Sequence, residues 1–369
     1  MRIDHLSLEP GPIGGERALA VYRFGDPGAR PKVHLQGGLH ADEAPGMLVG
    51  FALRERLRRL EAEGRIRGEI VLIPVANPIG LDQGLIGGSL GRFEATTGQN
   101  FNRAFPEAAR SALARDETKP EGDAVAALRR RMAVALDAMV PHTQIAALQR
   151  RLLRLAIDAD IVVDMHCDSE AVTHVYCHSE QVERAETLGA AVGAEAVLHA
   201  TLQGGSSFDE ACTLPWIELR RRWPELDLPL ACFAVTLEWR GMLDTDPDTA
   251  DADAAALVAW LATQGVVAAS TETGRDRSVA ATPLAGVEVV HACRPGLFLA
   301  SAAPGSRVTP GTVLGTLRTL PDGEDLPLRA TTAGLLYARE QTRIVRRGAE
   351  LFFIAGETPI REGLLLSAR

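Results

Sequence analysis

Apolar runs of strand length recur along this chain between amphipathic helical stretches, and they constrain the fold more than anything else. Val33–Leu35, Glu69–Val75, Ile161–His166 and Ala231–Glu238 are the clearest, with Leu19–Phe24 and Val172–His178 beside them. A nearly continuous run such as Glu69–Val75 suits a parallel strand covered on both faces. Helical periodicity fills Ala44–Ala62, where Leu53, Leu57 and Leu60 mark one face and Arg54, Glu55, Arg58 and Arg59 the other. Further helices are predicted over Asp123–Met139, Thr143–Ala159, Glu180–Val192 and Thr249–Leu261. Strands alternating with helices predict an α/β fold. Its sheet is mixed and mostly parallel, flanked by helices, with sites at the carboxyl ends of the strands.

The pattern changes after about residue 267. Ala268–Ala281 is polar and rich in Ala and Thr, as a linker would be. Beyond it, short β-like runs alternate with Gly and Pro turns: Val287–His291, Gly296–Ala300, Val313–Arg318, Gly334–Ala338 and Glu350–Ile354. The expected division is a catalytic domain over 1–270 and a small all-β sandwich or barrel over 280–369.

Composition limits the partners. Net charge is −9, and no dense Lys/Arg run appears, so nucleic acid is not expected. No apolar run approaches the ~18 residues of a membrane span. The five cysteines include no Cys-x-x-Cys pair, which predicts reduced thiols. The N-terminus lacks the basic-then-apolar build of a signal peptide, so a cytoplasmic location is expected. A homo-oligomer is compatible with the sequence.

Ionisable residues stand where strands end. His40 and Glu43 lie three apart in the stretch Gly37–Gly46, between a strand and a helix, so one helical turn can aim both at one point. His166 ends the Ile161 run and Glu238 the Ala231 run. On one edge of a parallel sheet the four converge. Two His and one Glu make a three-ligand catalytic zinc set, which keeps a position for water, and Glu238 is then a candidate general base. Asp164 shares the strand parity of His166 and is placed to orient it.

A long segment of little periodicity, Ile79–Pro106, carries Arg92, Asn102 and Arg103. Loops of this length in compact domains are functional or disordered, and Phe93, Phe101 and Phe105 offer anchors. Asn102 and Arg103 supply a carboxylate clamp, and Arg92 is a candidate for stabilising an oxyanion. His174 and His178, four apart, find no third ligand and are read as pocket-lining or structural. Cys167 points away from His166 in a strand. His5, His34, His142, His199 and His291 have no evident partners. There is no phosphate loop.

Taken in order, Gly38-Leu39-His40-Ala41-Asp42-Glu43, Asn100-Phe101-Asn102-Arg103, Asp164-Met165-His166 and Thr236-Leu237-Glu238 resemble the succinylglutamate desuccinylase/aspartoacylase family of the zinc carboxypeptidase-like superfamily. The match covers roughly Lys32 to Gly241, and the later β region resembles the family's C-terminal domain. The resemblance implies one Zn(2+) per chain on His40, Glu43 and His166, with Glu238 as general base and then acid. It also implies that Asn102 and Arg103 hold a substrate carboxylate, and it matches Arg92 to the family's oxyanion arginine. The expected activity is hydrolysis of the amide bond of a small carboxylate-bearing N-acyl amino acid or related compound. A zinc carboxypeptidase and a non-catalytic metal- or ligand-binding protein are the alternatives.

Overall fold

The computed structural model describes residues 1–9, 14–85, 88–268 and 278–366. Nine strands form the main sheet, in the spatial order Arg2–Ser7, Ala18–Phe24, Glu69–Ile73, Lys32–Gly37, Ile161–Asp168, Phe233–Gly241, His174–His178, Ala196–Ala200 and Ala281–Pro283. The three central strands, Lys32–Gly37, Ile161–Asp168 and Phe233–Gly241, run parallel, and so does Glu69–Ile73 beside them. His174–His178 runs antiparallel to Phe233–Gly241. The sheet is therefore mixed and mostly parallel, as the alternating pattern predicts.

Side-chain parity divides the two faces sharply. Leu35, Val163, Met165, Val235, Leu237, Val175 and Cys177 point to one side, into a core shared with Leu53, Leu57, Leu188 and Leu257 of the flanking helices. On the other side, the carboxyl halves of the parallel strands present Gln36, Asp164, His166, Thr236 and Glu238, and the amino half of the antiparallel strand presents His174 and Tyr176; these are register neighbours. Strand alternation thus gives one apolar face and a second that is apolar around Val162 and Ala234 and turns polar toward the Glu238 edge.

The helix Ala44–Ala62 has the predicted bounds. Its first turn lies directly on the His166 strand. A Cβ built on Gly46 would sit 2.4 Å from the Met165 carbonyl oxygen, so only glycine permits this approach.

Three elements escape periodicity. Arg2–Ser7 is a polar edge strand. Ala196–Ala200 is Ala-rich, and burial rather than propensity places it in the sheet. The helix Phe208–Arg222 contains Pro215, which removes one backbone donor and disguises the helix. Its sequence signal is Ser207-x-x-Glu210, the pattern of a capping box. The Glu210 carboxylate accepts the Ser207 backbone N–H at 3.4 Å.

Most of the anticipated linker, 269–277, lies outside the described residues. Ala281–Pro283 beyond it adds the last strand of the main sheet. After that, antiparallel strands form two small sheets around Phe298, Leu314, Leu317, Leu336, Phe352 and Ile354. A backbone pairing crosses between the two parts of the chain. The two-residue strand Glu170–Ala171, just past the His166 strand, pairs with Gly334–Arg339. No helix among the described residues is long and apolar enough to cross a membrane.

Candidate active site

The Lys32–Gly37 strand ends at Gly38, whose positive φ turns the chain so that His40 and Glu43 project over the sheet edge. Glu43 immediately precedes the Ala44–Ala62 helix, and its side chain caps no backbone group there. Its carboxylate meets two imidazoles instead, with Oε1 2.8 Å from His40 Nδ1 and Oε2 2.8 Å from His166 Nδ1. The Cys167 backbone N–H donates to Oε2 at 3.2 Å. All three side chains are buried, and one ligand atom from each lies within 4.8 Å of the others. Among the described residues this is the only group of its kind.

The far nitrogens of both rings are held. His40 Nε2 donates to Asn100 Oδ1 at 2.9 Å, and His166 Nε2 donates to Asp164 Oδ2 at 2.8 Å. These partners fix the ring orientations and turn both Nδ1 atoms toward Glu43. Such second contacts are what metal-ligating histidines require. The donor set of two nitrogens and a carboxylate oxygen fits a three-ligand metal site.

Asp164 does for His166 what the strand parity predicts. The chain of contacts runs further: Gln36 Nε2 donates to Asp164 Oδ1 at 3.0 Å, and His34 Nε2 donates to Gln36 Oε1 at 3.0 Å. His34 therefore has a partner, contrary to the sequence reading. His199 also finds one, its Nδ1 lying 3.0 Å from Ser179 Oγ.

Electrostatics within the cluster follow from burial and mutual contact. Burial, helped by the Arg92 charge, lowers the His40 pKa to about 4. Burial also opposes charge on Glu43, but His40 and His166 outweigh it and hold the carboxyl well below its usual range. His166 is the reverse case. Burial disfavours its charge, yet Asp164 and Glu43 together raise its pKa well above the ordinary value.

Glu238 stands opposite His166 in the register between their strands, on the same face. Its Oε2 is buried and has no hydrogen-bond partner. Burial pushes its carboxyl well above the usual range. Glu43 and Asp168 add to the shift, while His166 and Arg92 oppose it. Buried acceptors left unpaired are uncommon and mark a site that awaits a donor.

Arg92 reaches the same centre, its Nη1 donating to Glu43 Oε1 at 3.0 Å and lying 3.2 Å from His40 Nδ1. Asn102 is buried beside His166, with Nδ2 3.4 Å from Nε2. Its Oδ1 accepts the Phe208 backbone N–H at 2.8 Å and so caps that helix. Arg103 is mostly buried, and its Nη1 donates to the Asn102 carbonyl at 2.7 Å. Burial and the nearby Arg92 lower its pKa. Gly205 makes room for it: a Cβ there would lie 2.5 Å from Arg103 Cδ, and the residue has φ +87°.

The loop that carries these arginines is ordered by Phe101 and Phe105, both buried. Sequence reasoning assigns no role to Asn100, although it opens the Asn100-Phe101-Asn102-Arg103 motif. His174 and His178 form no metal pair. His174 Nδ1 donates to the Val172 carbonyl, and His178 Nδ1 accepts the Glu180 backbone N–H. Cys167 is buried with the opposite parity to His166 and a strongly raised pKa, so the thiol is inert.

Residues 29–263, which hold every one of these side chains, match the model of the succinylglutamate desuccinylase/aspartoacylase catalytic domain. No curated protein matches the chain. A succinylglutamate desuccinylase/aspartoacylase family protein from Shewanella amazonensis shares 25% identity and a TM-score of 0.83, covering 96% of this chain and 98% of its own. One from Shewanella frigidimarina shares 22% identity and a TM-score of 0.84, covering 96% and 97%. The product-bound ectoine utilization protein EutE (DoeB) from Ruegeria pomeroyi has the same fold at 20% identity and a TM-score of 0.66, covering 96% and 95%. The chain belongs to the succinylglutamate desuccinylase/aspartoacylase family of deacylase-type hydrolases.

Proposed function

We propose that the protein is a zinc-dependent hydrolase that cleaves the amide bond of a small, carboxylate-bearing N-acyl amino acid or related compound. One observation carries this reading. A half-buried carboxylate whose enclosed Oε2 has no partner, Glu238, lines the same wall as the His40–Glu43–His166 cluster. A metal-binding protein without catalysis has no use for that second, separately placed acid.

His40, Glu43 and His166 would hold the ion, with Asn100 and Asp164 fixing the two imidazoles. Zinc, when bound, supplies a Lewis acid that acidifies water and polarises a carbonyl. Arg103, with Asn102 behind it, receives the substrate carboxylate. Arg92 sits at the cluster, where its guanidinium can meet the negative charge that develops on the carbonyl oxygen. Glu238 takes a proton from the attacking water and returns it to the nitrogen as the C–N bond breaks. Amide and water go in; a carboxylic acid and an amine come out.

The test is a screen of N-acetyl, N-succinyl and N-formyl amino acids, with C-terminal dipeptides alongside, before and after chelation and zinc restoration. Zinc-restored release of free amino acid from an N-acyl substrate is the expected result. Turnover of peptides alone would favour the carboxypeptidase alternative, and no turnover would overturn the proposal.

A further inference from the structure

Beside Glu238, the wall contains a second buried acceptor without a partner. His174 stands directly opposite Glu238 in the register between their antiparallel strands, so the two side chains share a face. The imidazole is fully buried. Its Nδ1 donates to the Val172 carbonyl at 2.8 Å, which leaves Nε2 as the lone-pair nitrogen. That Nε2 has no hydrogen-bond partner. Tyr176 and Tyr337 pack edge-on against the ring, with centroids 5.2 and 4.9 Å away, and fix its plane. Burial outweighs the attraction of nearby Asp168, so the ring stays neutral.

Two unpartnered acceptors on register-paired residues of one face, Glu238 Oε2 and His174 Nε2, suit a ligand group that carries two hydrogens. The proposed reaction produces such a group. A secondary amide nitrogen carries one hydrogen. When the C–N bond breaks, the nitrogen keeps its electron pair and takes the proton that Glu238 holds, so the departing amine carries two hydrogens. We propose that His174 Nε2 accepts the hydrogen that the scissile nitrogen already bears, while Glu238 delivers the second. This inference rests on the hydrolase reading above. It makes His174 a specificity-determining residue for amides, because an ester oxygen at the same place has no hydrogen to offer.

The experiment compares the N-acyl amino acid turned over fastest in the screen with the oxygen ester of identical carbon skeleton. His174→Phe keeps a ring between the two tyrosines and removes the acceptor. His174→Gln keeps an acceptor. For His174→Phe, kcat/KM on the amide should fall about 10- to 100-fold, the cost of one unmet hydrogen bond, and on the ester by less than about 2-fold. His174→Gln should recover most of the amide rate. Zinc content and thermal midpoint, measured on both variants, show whether the fold is kept. Equal losses on amide and ester, or no loss on either, would overturn the inference while wild-type turnover stands. Absence of zinc-dependent turnover in the wild type would instead remove the hydrolase reading, and this inference with it.

Discussion

Asp164 Oδ2 accepts the Nε2 hydrogen of His166 at 2.8 Å, and both side chains are buried. The carboxylate therefore decides which nitrogen of His166 faces Glu43. Asp164→Asn offers an amide that can turn either way and loses the charge. Metal affinity should fall about 10- to 100-fold, as for other buried partners of ligand histidines. Competitive chelator titration of the two proteins reads this directly; unchanged affinity would mean that His166 needs no such orientation.

Glu238→Gln retains the shape of the side chain and removes its proton chemistry. We expect kcat to drop by about 10²- to 10⁴-fold. Zinc content and thermal midpoint should not fall, because relieving an unpaired buried acid costs the fold nothing. If steady-state turnover of the best substrate survives intact, the base is another residue.

Gly46 packs against the Met165 carbonyl, so Gly46→Ala forces the helix off the His166 strand. Overpacking of this kind costs about 1–3 kcal/mol. Denaturant midpoints should show a loss in that range, with weakened zinc binding because Glu43 precedes the same helix.

Asp209, which is not one of the candidate metal ligands, gives a pH signature of its own. Burial, aided by Glu210, raises its carboxyl to about 6 from 3.8. A raised folded pKa means that the native state binds the proton more tightly than the unfolded chain. The associated stability is present below about pH 4 and is lost as pH rises through about 6, up to about 3 kcal/mol in all. Asp209→Asn removes this dependence. The stability of the variant relative to wild type should therefore climb between about pH 4 and about pH 7 in urea melts. A difference that is flat with pH would refute the assignment.

The sheet and the gathering of ionisable side chains at its edge are legible in the sequence because they depend on local rules. Apolar runs give strands, and a polar residue at the end of each run falls on the sheet edge. That rule alone groups His40, Glu43, His166 and Glu238, and strand parity adds Asp164. Parity cannot find Asn100, which reaches His40 from a loop 60 residues away and has no periodicity of its own. His34 and Gln36 share a parity, but their link becomes meaningful only when the neighbouring strand brings Asp164 alongside. The helix at Phe208 is hidden by Pro215, although its Ser207-x-x-Glu210 start is in plain view. His174 reads as lining or structure because a sequence does not show which acceptors go unpaired.

The short pairing of Glu170–Ala171 with Gly334–Arg339 has a consequence for how this molecule can be cut. The family match ends at residue 263, which invites expression of a catalytic fragment stopping there. Such a fragment would expose the edge at Glu170–Ala171 and strip Tyr337 from the face of His174. The boundary at which this sequence can be aligned is therefore not one at which the enzyme can be divided.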